Sequence, residues 1–90
     1  MNASLADPHL AAIRSVANLA KVADHQLGRE LESARFNLFR AIEAGRRDEA
    51  RAWLGAVELA VEAAAPHIPA GAATRALASA LAGLRQVVGQ

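Results

Sequence analysis

The spacing of apolar side chains predicts an all-α fold, a small helical bundle of three or four helices within a single domain spanning residues 1–90. Three observations carry the prediction. Leu10, Ile13, Ala17, Ala20, Leu27, Leu31, Ala34, Leu38 and Ala41 follow heptad spacing with only Asp24 interrupting, which places them on one seam of a helix that must meet another helix. Half of the apolar residues are alanine, the strongest helix former and a weak source of hydrophobic energy. The three prolines, Pro8, Pro66 and Pro69, fall where helices begin or end.

The first helix starts near Pro8, with Asp7 able to cap the free amides of its first turn. Its first credible stop is Ala44-Gly45, with Gly45 taking the left-handed conformation. Because the seam keeps phase across Asp24, the sequence predicts one continuous helix over 8–44, about 55 Å long. The alternative is a break around Asp24-His25-Gln26-Leu27-Gly28, with Gly28 closing a turn and His25 with Asp24 a polar element of the seam. It gives four helices of near-equal length, at 8–24, 29–44, 47–65 and 72–88, in an antiparallel bundle.

Beyond Gly45, Asp48 and Glu49 open the next helix at its positive end, and Ala50, Leu54, Val57, Val61 and Ala64 form its buried face with Trp53 beside it. Pro66 to Gly71 is a connector. The last helix buries Leu77, Leu81, Leu84 and Val88 and carries only Arg75 and Arg85 as charges, so it lies centrally or against another subunit.

Composition excludes several functions. Cysteine is absent, which removes disulfides, thiolate metal sites and thiol nucleophiles. The net charge of +1 supplies no general attraction to nucleic acid or an anionic membrane. The opening residues lack the basic end and apolar run of a secretory signal, and arginines interrupt the most apolar region, so the expectation is a cytoplasmic chain without a membrane partner. His9, His25 and His67 stand at no metal-ligand spacing, no phosphate-binding glycine loop is present, and the hydroxyl residues lack a nucleophile elbow. The expectation is therefore no enzyme, no metal and no cofactor.

What remains is a surface for a protein partner. Phe36, Phe39, Arg40, Arg47 and Trp53 gather around the Gly45 turn, and aromatic and arginine side chains together are what binding hot spots use. If the first helix is continuous, its projecting half leaves Leu10, Ile13, Ala17, Ala20 and Leu27 as the seam of a homodimer. The function expected is a non-enzymatic interaction module: an adaptor, chaperone-like protein or regulator. The alternative is a nucleic-acid-associated regulator using the arginines near Gly45, including Arg46, Arg47 and Arg51. Residues 41–54, with Gly45, Ala50 and Leu54 in order, resemble the junction of a tetratricopeptide helical hairpin, which implies a partner-binding hairpin.

Overall fold

A computed structural model describes residues 1–89. Four α-helices run in order: α1 Ala3–Ala23, α2 His25–Glu43, α3 Arg47–Ala64 and α4 Ala72–Gly89, with a short 3₁₀ turn at Ala65–His67. The bundle is all-α. It is not built on a helix over 8–44, because the longest dimension of the molecule is 34 Å, far short of the roughly 55 Å such a helix needs.

Asp24 makes the break. Its backbone is extended (φ −147°, ψ 103°), and this one residue serves two helices. Its N–H donates to the Ala20 carbonyl at 2.8 Å, closing α1. Its carboxylate accepts from the Leu27 N–H at 3.2 Å, capping α2. The helices fold back antiparallel so tightly that a Cβ on Gly28 would lie 2.4 to 2.8 Å from the Cγ, N and Cα of Lys21. Gly28 therefore sits inside α2 as the point of closest backbone approach, not in a turn. His25 is exposed at the start of α2, and Asp24, half-buried, is a cap and not a core pair with it.

The start of α1 also differs from expectation. Asn2, not Asp7, is the cap: its side-chain carbonyl accepts from the Ser4 N–H at 2.9 Å and the Leu5 N–H at 3.4 Å. Pro8 lies within the helix. Proline removes one helical donor, and here the deprived carbonyl belongs to Ser4, an exposed residue that water can satisfy. Ala6 is buried, and Met1 and Ala3 pack against the core, so the extra turn adds apolar contact.

α2 ends in a Schellman motif. Gly45 takes φ 71°, and the Arg46 N–H reaches back to the Ala41 carbonyl at 2.9 Å. α3 then returns along α2, and α4 packs chiefly on α1 with sparse contact to α3. Neighbours are antiparallel around the bundle: His9 near the start of α1 touches Gly83 near the end of α4, and Glu58 of α3 pairs with Arg85 of α4.

Ile13, Leu31, Leu38, Val57, Leu84 and Val88 form the fully buried centre. Eight of the 20 buried apolar residues are alanines, so the helices are held close by small side chains. Among the described residues no polar or charged side chain is buried. The sparse α3–α4 contact leaves a shallow apolar groove between Val61, Ala65, Ile68, Leu77 and Leu81. None of the helices among the described residues is long and apolar enough to cross a membrane.

Two glycines in similar helical settings should answer alanine oppositely. Gly28→Ala drives a Cβ into the Lys21 backbone and should destabilise by about 1–3 kcal/mol, despite a helix-propensity gain of about 1 kcal/mol. Gly55→Ala meets nothing within 4 Å and should stabilise by about 1 kcal/mol. Urea unfolding of both variants measures the contrast.

Candidate functional site

The five residues expected around the Gly45 turn do not form one patch. The outer face of α2 carries Phe36, Arg40 and Glu43 at helical spacing, all solvent-exposed. Phe39 turns toward α1 and packs on the edge of the core, while Phe36 projects and stays 48% exposed. Their ring centroids are 6.3 Å apart in a tilted arrangement, within the range of a favourable aromatic pair. Both border a shallow depression over the α1–α2 junction, beside Leu10, Arg14 and Arg35.

On the other side of Arg40, a polar cleft of about 360 Å³ lies between α2 and α3 beside the Gly45 turn. Asn37, Arg40 and Glu43 from α2, Arg46 at the turn, and Glu49 and Trp53 from α3 line it, so two carboxylates share the cleft with the two arginines. Trp53 stands at the rim, 37% exposed, with the apolar body of the indole available to a ligand. Arg46 leans on Glu49 at 3.5 Å, an exposed ion pair of little energetic weight. Arg40 has no carboxylate within ion-pair distance among the described residues.

Arg47 belongs elsewhere. It lies six residues before Trp53, about 240° around the helix, and shares a face with Arg51 and Glu58 on the α4 side of α3. Phe36, Phe39, Arg40 and Trp53 thus form a connected surface across α2 and the cleft, and Arg47 does not join it. The sequence reading missed Asn37 and Glu49, which line the cleft. Their spacing was the available signal: Asn37 is one turn from Arg40 and Glu49 one turn from Trp53.

The expected dimer seam is not a surface. Leu10, Ile13, Ala17 and Ala20 are each no more than 3% exposed, and Leu27 is half-buried. Once the chain reverses at Asp24, α2 and α4 cover the stripe that a projecting helix would have left in water.

Electrostatically, the α1–α2 edge is organised by Glu32 and Arg35. The Arg35 Nε donates to Glu32 at 2.8 Å and its terminal nitrogen donates to the second carboxylate oxygen, a bidentate pair one helical turn apart. The bond from Arg35 is the main reason the Glu32 carboxyl is held below its ordinary value of 4.5; partial burial opposes it, and the charges of Arg35, Arg14 and Lys21 assist. Among the described residues no three histidine or carboxylate side chains converge as a metal site would require.

A depressed carboxyl pKa contributes stability that is present above the unfolded-state value and lost as pH falls through the folded-state value. Acid unfolding should therefore weaken the wild type progressively below about pH 4.5. Glu32→Gln should be less stable at neutral pH and should flatten that acid limb. Denaturant melts across pH 3 to 7, on the order of one pH unit apart, give both quantities; an unchanged acid slope in the variant would remove Glu32 as its source.

Comparison of the chain with protein-family models, with curated proteins and with solved structures gives no match.

Proposed function

We propose that this chain is a small, non-enzymatic protein-interaction module that docks an amphipathic helix of a partner along the outer face of α2 and the mouth of the α2–α3 cleft. The observation that carries the reading is the pairing of half-exposed aromatic rings, Phe36 and Trp53, with an arginine between them that no carboxylate of the described chain engages. Monomers rarely leave such side chains together in water without use, and aromatic and arginine anchors dominate binding energy where they occur. A partner helix would set apolar side chains on Phe36 and Trp53 and place an acidic side chain on Arg40, where a bidentate pair can form. Phe39, packed beneath Phe36, fixes the ring above it.

Nucleic-acid binding through the arginines is the weaker reading. Glu43, Asp48 and Glu49 stand among Arg40, Arg46, Arg47 and Arg51, and the arginines point to opposite sides of α3.

Trp53 is the chain's only tryptophan, so its fluorescence reports on this site alone. Titration with a synthetic amphipathic Leu/Glu helix should shift the emission saturably, and the same helix with Lys for Glu should not. Arg40→Glu should reverse that preference, and Phe36→Ala should weaken binding at least tenfold, about 1.4 kcal/mol. Equal responses to the acidic and basic helices, or a response only to a single-stranded oligonucleotide, would overturn the reading.

A further inference from the structure

α1 carries a second heptad stripe, of which only Ala12 packs against the core. Leu5, Pro8, Ala12, Ser15, Leu19 and Val22 alternate three and four residues apart without a break. They lie on the side of α1 turned away from α2, since Lys21 on the opposite edge is the residue that meets Gly28. Leu5 is 52%, Leu19 48% and Val22 88% exposed, which makes them three of the six large apolar side chains in water. No charged residue interrupts the stripe. Its one central polar group is turned inward, because the Ser15 hydroxyl donates to the Ala11 carbonyl of its own helix at 3.2 Å.

We infer that this stripe is a self-association surface, on which α1 of a second copy packs antiparallel to form a twofold dimer. The spacing is the one two helices need to interdigitate at a shallow crossing angle, and a stripe on identical chains is complementary to itself. Its profile is nearly symmetric about its middle, with large side chains at both ends and Ala12 and Ser15 at the centre. Antiparallel packing sets Leu5 against Val22 of the second copy and lets the backbones approach at the small residues. The helix dipoles favour the same direction, because antiparallel chains oppose them.

The area fits a weak dimer. The strip offers on the order of 500 Å² per copy, or about 1,000 Å² in the pair, which is the threshold for specific association. A protein with this interface is a monomer when dilute and a dimer when concentrated. The surface is separate from the α2 face proposed for a partner, so neither proposal depends on the other.

Sedimentation equilibrium of the whole chain from about 10 µM to about 1 mM tests the association. The mass should rise from 9.4 kDa toward twice that value. Leu19→Arg with Val22→Arg should hold the chain at the monomer mass throughout, with unchanged helical circular dichroism, because both positions are exposed. Orientation is read by disulfide trapping, which is clean because the chain has no cysteine. Leu5→Cys and Val22→Cys should stay unlinked separately and cross-link when mixed, and Ala12→Cys should likewise cross-link to Ser15→Cys. A monomer at every concentration, or a double-arginine variant that dimerises like the wild type, would overturn the self-association. Self-linking of Leu5→Cys alone would overturn the antiparallel arrangement.

Discussion

At Asp24 the chain reverses within a single residue, and that economy constrains what surrounds it. With no loop to separate them, the end of α1 and the start of α2 must touch backbone to backbone, so the second helix needs a residue without a side chain at Gly28. The close approach draws the end of α1 against the start of α2, and there α1 turns the small side chains of Ala17 and Ala20 into the core. Asp24 contributes three things to the reversal: a donor to α1, a side-chain acceptor to α2 and an extended backbone between them. Few residues combine these, and an aspartate with room on one side is well suited.

The helical class, the Gly45 turn and the limits of α3 and α4 were legible in the sequence, because each rests on local chemistry: a left-handed glycine, acidic residues in a first turn, a proline-bounded connector. The reversal was legible only as the alternative to a continuous helix, and the reason is specific. A heptad stripe that runs through a one-residue hairpin keeps its count, since the hinge occupies one position of the repeat and both arms bury the same face. Unbroken phase is therefore equally consistent with a long helix and with two short ones, and only the polar Asp24, Gly28 and the near-equal helix lengths marked the difference. The start of α1 was misjudged for a related reason. Asp7-Pro8 is a strong starting signal, but Asn2 is as good a cap, and burial of Ala6 tips the balance toward the longer helix.

The candidate site was legible in part. Residue type singled out Phe36, Arg40 and Trp53, and the structure leaves all three side chains exposed. Position on the helix excludes Arg47, and the count from Trp53 already contained that exclusion. Nearness in sequence to a turn is not nearness on a surface: residues that flank a turn point all around their helices, and only those one turn apart share a face. The same reversal decides which stripe of α1 meets water. It sends Leu10, Ile13 and Ala17 inward and leaves Leu5, Leu19 and Val22 outside.

The sparse packing of α4 on α3 gives the bundle an order of assembly. The hairpins α1–α2 and α2–α3 close over few residues and lose little chain entropy, whereas α4 must find α1 across most of the chain's length. The α1–α2 and α2–α3 contacts therefore form without the docking of α4, which closes the longest loop of the fold. Undocking of α4 would uncover the face of α1 that it packs on, and where reclosing outpaces cleavage the population of that open form sets how often the core meets a protease.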